Sequence, residues 1–104
     1  MEGCLFCEIA EKKRSADIVA ETDEVVVFRD ANPKTRVHLL IVPKKHIASV
    51  KDADARDRTL FGGLILAARD AAAKENLAGY KLLFNVGRDG GQVIDHLHLH
   101  LMGN

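Results

Sequence analysis

The segment His96-Leu97-His98-Leu99-His100-Leu101-Met102 alternates imidazole and apolar side chains without a break. A chain that carries it has few ways to fold. In an extended strand, successive side chains point to opposite faces, so the three histidines project from one side and Leu97, Leu99 and Leu101 from the other. Burying the leucines against a helix leaves an imidazole row facing a cleft or loops. Same-face neighbours stand about 6.5–7 Å apart, near enough for one small ligand or metal-bound group to touch two of them. Imidazole serves near neutral pH as base, acid, nucleophile or metal ligand. An expression tag is a contiguous run, and ordinary packing of a solvated strand face has no need of three imidazoles in register.

The rest of the chain supplies the partners for that strand. Residues 16–21, 25–28 and 37–42 are expected as strands, the last so continuously apolar that it belongs at the centre of a sheet. Residues 29–34 (Arg-Asp-Ala-Asn-Pro-Lys) form a loop, and Pro43 closes the central strand. Residues 6–14 suit a helical turn or two. Residues 54–76 are the long helix, with Leu60, Leu64 and Ala68 at i, i+4, i+8 and Asp52 or Asp54 as its cap. Gly62 and Gly63 within it are expected to allow close packing on the sheet, and Gly79 to end it. Strands at 80–86 and 94–102 follow, joined by a glycine-rich turn. Three strands, a long helix and two further strands predict an α+β fold: an antiparallel sheet of five to six strands with one packed helix.

Size and charge bound the function. With 104 residues there is enough chain for one core, hence a single domain over 1–104. Lys plus Arg number 15 and Asp plus Glu number 15, which argues against broad adhesion to nucleic acid or to acidic membrane. The start holds no apolar run of signal length, and the longest uncharged stretch, 59–68, is about half a membrane span. A soluble, cytoplasmic protein is expected. The core is thin for six or seven elements, so a dimer that extends or covers the sheet fits the pattern.

Two further features bear chemistry. The loop Asn85-Val86-Gly87-Arg88-Asp89-Gly90-Gly91-Gln92 carries three glycines that permit positive φ and close approach of backbone N–H groups to an anion, with Asn85 and Gln92 as rim donors. Alone it is equally a glycine-rich hairpin turn; beside the histidine strand it suits phosphate oxygens. Cys4 and Cys7 have the C-x-x-C spacing that lets two thiolates share a tetrahedral metal. A redox pair of thioredoxin type needs a preceding strand that residues 1–3 cannot supply. His46 and one histidine of the last strand could complete a Cys₂His₂ zinc site, or both cysteines are incidental.

These residues together resemble the histidine triad family, specifically its HINT-like nucleoside phosphoramidase branch. The resemblance runs from Cys4-Leu5-Phe6-Cys7-Glu8-Ile9, through Phe28-Arg29-Asp30-Ala31-Asn32-Pro33 and His38-Leu39-Leu40-Ile41-Val42-Pro43-Lys44-Lys45-His46, to Asn85 and the 96–102 strand. It implies a homodimer whose two sheets join continuously, and hydrolysis of purine nucleoside 5′-phosphoramidates, of the adenosine 5′-monophosphoramidate type, through a covalent nucleotidyl-histidine. By resemblance His98 is the nucleophile, His100 contacts phosphate and assists the leaving group, and His38 orients the site. Asp30 receives the ribose hydroxyls, while Asn85 and the Gly91–Gln92 backbone form the phosphate loop. Cys4, Cys7, His46 and His96 resemble structural zinc ligands; no catalytic metal is expected.

Two departures stand out. Val93 replaces a serine that this branch often uses near the leaving group, and the chain ends at Asn104 where the branch usually continues into a tail. Asp95, beside His96, is not expected to act as a base. Rival functions are a dinucleoside polyphosphate hydrolase of the same family, a nucleotide-binding interaction protein with vestigial catalysis, and a catalytic metal on the histidine row.

Overall fold

The computed structural model describes residues 3–104. Five strands, β1 (Ile18–Glu21), β2 (Val25–Arg29), β3 (Val37–Pro43), β4 (Lys81–Phe84) and β5 (Leu99–Gly103), accompany two helices, α1 (Leu5–Ala10) and α2 (Arg58–Lys74). All neighbouring strands are antiparallel and the sheet order is β1-β2-β3-β5-β4. The expected α+β architecture is therefore present, with five strands. β3, between β2 and β5, is buried along its whole length, as its unbroken apolar run requires.

Alternation gives the sheet two different faces. Val25, Val27, Val37, Leu39, Ile41, Leu99 and Leu101 pack beneath Leu60, Leu64, Ala68, Ala71 and Ala72 of α2. Val26, Phe28, Leu40 and Val42 project the other way, against Phe6, Cys7 and Ile9 of α1. α1 is six residues long and covers only part of that second face. The remainder, over β3, β5 and β4, is the floor of a cleft.

Several boundaries differ from expectation, each for a local reason. The long helix begins at Arg58, because Asp54 caps a 3-10 turn over Ala55–Asp57 that leads into it. Asp54 accepts the Arg56 N–H at 2.7 Å, and Asp57 accepts the Asp54 N–H at 3.0 Å. The helix ends at Lys74 and is closed by Asn76, not by Gly79. Asn76 takes the left-handed conformation (φ 59°), with the Leu77 N–H on the Ala72 carbonyl and the Asn76 N–H on the Ala73 carbonyl, a Schellman closure that Asn tolerates. Gly62 and Gly63 do not press on the sheet: a Cβ on either would meet nothing within 4 Å. The close approach lies instead at Gly103, where a Cβ would stand 3.0 Å from Leu77 and 3.2 Å from the Gly79 carbonyl.

The last strand is also shorter than the alternation suggests. Its ladder with β3 runs from Gly103 only to Leu99, opposite Ile41. Beyond that point the Leu97 N–H turns to the Ile47 carbonyl at 2.7 Å, so His96 and His98 precede the strand. Leu97 nevertheless stays in the α2 core at 2% exposure, which preserves the separation of leucines from histidines.

Leu64→Ala, which empties a fully buried position of α2, is expected to cost about 2–5 kcal/mol in urea unfolding. Gly103→Ala, which forces backbone against side chain, is expected to cost about 1–3 kcal/mol by overpacking in the same measurement.

Candidate functional site

His98 stands at the entrance to β5 and is buried. Its Nδ1 lies 2.7 Å from the His96 carbonyl oxygen. A carbonyl only accepts, so Nδ1 carries the proton and a neutral ring leaves Nε2 bare. Burial holds the His98 pKa below 6.5, against the opposing pull of the His96 carbonyl and of Asp30. A neutral imidazole with one free nitrogen is a nucleophile at neutral pH.

A second pair of histidines adjoins it. His100 comes from β5 and His38 from β3, and the His38 Nε2 lies 2.9 Å from the His100 Nδ1. The Lys34 backbone N–H donates to the His38 Nδ1 at 3.1 Å. Neutral His38 therefore keeps its proton on Nε2, shared between the His100 Nδ1 and the Asp30 carboxylate at 3.3 Å. Neutral His100 in turn keeps its proton on Nε2, and the Asn85 amide 3.3 Å away is complementary to it with its oxygen, not its NH2, turned to the ring. Burial, with smaller contributions from His98 and His38, pushes the His100 pKa down to about 4. Burial also lowers that of His38, with Asp30 opposing. Asp30 accepts the Asn32 N–H at 2.8 Å through its other oxygen.

These groups line a cleft of about 1000 Å³. Phe6 and Phe28 form its aromatic end, while Asp30, Lys34 and Asn85 supply polar groups near the histidines. Phe6 meets Phe28 at 5.4 Å between ring centroids and His98 at 5.0 Å, both edge-on. Leu83 and the 77%-exposed Val93 sit at the mouth.

The glycine-rich loop is built differently from the expected cradle of free amides. The N–H groups of Gly90 and Gln92 bond to the Gly87 carbonyl, and that of Gly91 to the Arg88 carbonyl. Gln92 is buried, its side chain spanning the Ala48 and Ile94 carbonyls and the Gly87 N–H. Gln92 is thus an internal brace and not a rim donor. Gly87 (φ 73°) and Gly91 (φ 89°) do use positive φ, and Gly91 lies against the Asn85 side chain. Asp95 pairs with Arg88 at 2.8 and 3.0 Å, outside the histidine set.

The fourth expected group is assembled as well. The donor atoms of Cys4, Cys7, His46 and His96 lie within 4.8 Å of one another. The His96 Nδ1 is 3.3 Å from the Cys4 Sγ, 3.4 Å from the Cys7 Sγ and 3.2 Å from the His46 Nδ1. A tetrahedron built on Zn–S and Zn–N bonds has S–N and N–N edges of about 3.6 and 3.4 Å, so these residues fit a metal ion. The second partner of His96 agrees. Its Nε2–H donates to the Pro43 carbonyl at 2.8 Å, which fixes the bare nitrogen on the cluster side. Burial pushes the His96 pKa down to about 4, keeping the ring in its ligating neutral form.

Three contributors escaped the sequence reading. Phe6 hides inside the C-x-x-C segment, where its helical position between the cysteines was the available signal. The Lys34 amide and the His96 carbonyl are backbone atoms, and side-chain identity carries no signal for them.

An imidazole triad on one face of an antiparallel α+β sheet, over a cleft of small-molecule size, defines a site for nucleophilic or acid–base chemistry on a bound ligand. The chain belongs to the histidine triad family: the family model described as the scavenger mRNA decapping enzyme C-terminal binding region matches residues 3–104. It is similar to Protein HitA of Neisseria gonorrhoeae, 41% identical over 104 residues and covering 99% of this chain and 97% of that one. It is also similar to a HIT-like protein of Synechococcus elongatus, 42% identical over 98% of this chain and 90% of that one. Among solved structures, a HIT family hydrolase from Legionella pneumophila superposes with a TM-score of 0.96 at 43% identity, over 98% of this chain and 93% of that one. A histidine triad protein from Clostridium difficile superposes at 0.97 with 32% identity, over 100% and 92%.

The depressed imidazoles set a pH window for stability. Unfolded histidine binds its proton near pH 6.5, whereas His100 in the fold does so near 4, so the unfolded chain binds more protons between those values. Stability is expected to be level above pH 6.5 and to fall as pH drops toward 4. Urea midpoints across this range, with a shallower decline in His100→Gln, check it.

Proposed function

We propose that this chain is a nucleotide hydrolase acting on purine nucleoside 5′-phosphoramidates. The observation that carries the reading is His98, its Nδ1 proton tied to the His96 carbonyl and its Nε2 bare, beside His100 at a ring distance of 5.0 Å. The His98 Nε2 attacks the α-phosphorus, an Nε2–P bond forms, and the P–N bond to the amine breaks. The bound phosphoryl anion favours the protonated His100 ring, and the amine leaves with a proton from that imidazolium, returning the ring to neutral. Water then attacks the nucleotidyl-His98, returns a proton to His100, and releases the nucleoside monophosphate. His38 and Asp30 hold His100 in the orientation that keeps its proton on Nε2. Asp30 also lies where ribose hydroxyls are to be received, Asn85 and Gly91 border the phosphate, and Phe6 with Phe28 offers a wall for the base.

Cys4, Cys7, His46 and His96 are assigned a structural zinc. Four protein donors leave no open position for water, so the reaction is assigned to the imidazoles. The HIT family hydrolase named among the solved structures supports hydrolysis. The described residues include no helix long and apolar enough to cross a membrane; a cytoplasmic location and one domain over 1–104 are parts of the proposal. A dinucleoside polyphosphate is the second reading, favoured by a cleft of about 1000 Å³, at the upper end for small-molecule sites.

A homodimer with a continuous sheet completes the proposal. β4 is an edge strand, and Tyr80, Leu83, Ile65 and Leu66 are exposed on it, beside it and on α2. Gly62 and Gly63 keep α2 low where a Cβ would meet nothing of this chain, leaving room for a partner helix.

Quenching the protein during turnover of adenosine 5′-phosphoramidate is expected to give a nucleotidyl adduct on His98 by mass spectrometry, absent in His98→Ala. Faster turnover of a dinucleoside polyphosphate assayed alongside would move the assignment to the second reading, and nucleotide binding without any adduct would reject both. Sedimentation equilibrium is expected to give twice the chain mass, shifting toward the monomer in Leu66→Glu; a monomeric wild type would remove the dimer.

A further inference from the structure

The cysteine–histidine cluster and the reactive histidine share structure. His96 belongs to both, its Nδ1 facing the cysteines at 3.3 and 3.4 Å while its carbonyl holds the His98 proton at 2.7 Å. Phe6 lies in α1 between Cys4 and Cys7, is 3% exposed, and sets its ring at 84° to that of His98. The Leu97 N–H, between the two histidines, bonds to the carbonyl of Ile47, next to His46. Three separate links therefore run from the cluster to one imidazole.

Two things hold α1: the packing of Phe6, Cys7 and Ile9 on Val26, Phe28, Leu40 and Val42, and the cluster. Six residues are too few for a helix stable by itself. Its N-cap is the Cys4 thiol, which accepts the Cys7 N–H at 3.4 Å. Sulfur is a weak acceptor in the place where Ser, Thr, Asp or Asn serves best. Drawing the four donors together anchors both ends of the turn that carries Phe6.

We propose, resting on the reading of His98 as nucleophile, that Phe6 is a positioning residue for His98 and that the Cys4–Cys7–His46–His96 cluster is the clamp that sets it. Phe6 meets the ring edge-on while the His96 carbonyl fixes its proton, so both restraints sit on residues that carry or flank the four donors. Releasing the cluster leaves α1 on its apolar packing alone, lets Phe6 shift against His98, and allows His98 to turn its proton-bearing nitrogen toward the cleft. The cluster thereby governs the rate of the reaction and not only the stability of the fold.

The test uses the full chain, stripped with a chelator and reloaded with Zn²⁺ alone. Uptake of one ion per chain is expected, and no uptake overturns the proposal. In the loaded protein, ¹⁵N-resolved imidazole spectra are expected to show His98 as a single Nδ1–H form. The stripped protein, folded by circular dichroism, is expected to show a second His98 form. Its kcat on adenosine 5′-phosphoramidate should be about tenfold lower or more, with KM changed by less than about threefold. Identical His98 spectra and equal kcat in the two states overturn the proposal. Should stripping unfold the chain, zinc-loaded Phe6→Leu keeps the metal and the apolar filling but loses the ring. The same two changes are expected there, with Phe6→Tyr restoring the single form, and an unchanged Phe6→Leu overturns the proposal. Absence of phosphoramidase activity in the loaded wild type would reject the functional reading alone, because the spectral comparison still decides whether the cluster sets His98.

Discussion

Burial of Leu97, Leu99 and Leu101 beneath α2 organises everything else in the molecule. Each is 2% exposed or less and is worth about 1.5–3 kcal/mol for being buried. A slip of one residue would exchange three leucines for imidazoles in the core. The same rule acts on β3, where Leu39 and Ile41 enter the helix-side core and His38 and Leu40 go to the other face. Since His38 pairs with Met102 and Leu40 with His100 in the ladder, His38 and His100 become diagonal neighbours on the cleft side. The register that makes the core thus also makes the 2.9 Å contact between them.

The chemistry of the triad is then set by two backbone atoms. The Lys34 N–H occupies one nitrogen of His38 and the His96 carbonyl occupies one nitrogen of His98. From those fixed ends the remaining protons follow, through the His38 Nε2 to the His100 Nδ1. Burial supplies the other half by disfavouring the charged ring in all three. Orientation comes from the chain and protonation from desolvation, and both have to act together for Nε2 of His98 to be bare at neutral pH.

What the sequence revealed followed the same division. Alternation and helical periodicity located the sheet, the long helix and the histidine row of 96–100, because core burial dictates those patterns. C-x-x-C spacing pointed to Cys4 and Cys7, and the family resemblance, not periodicity, supplied His38 and the choice of His96. Ends of elements were less legible. β5 stops at Leu99 because Leu97 finds a better acceptor in Ile47, a contact between segments 50 residues apart. α2 stops at Lys74 because Asn76 accepts the left-handed backbone that closes it, even with Gly79 three residues on. Gln92 looked like a rim donor by residue type, yet hydrogen bonds to Gly87, to Ile94 and to the distant Ala48 carbonyl tie it into the interior. Tertiary partners decided each of these cases.

Lys34, Arg14 and Arg29 line the cleft, but at rest the histidines beside the reacting phosphorus add no positive charge of their own. The three imidazoles are neutral, and the loop amides of Gly90, Gly91 and Gln92 are committed to carbonyls of the same loop. On the phosphoramidase reading, the ligand itself corrects this. A phosphoryl anion beside His100 favours the protonated ring, in the way an opposite charge raises any imidazole pKa. The proton needed by the departing amine is then drawn into the site by the charge of the bound substrate. A neutral triad also leaves the nucleophile uncharged until the phosphate arrives. On that reading, the depressed pKa values and the supply of a proton for P–N cleavage both come from the same buried arrangement.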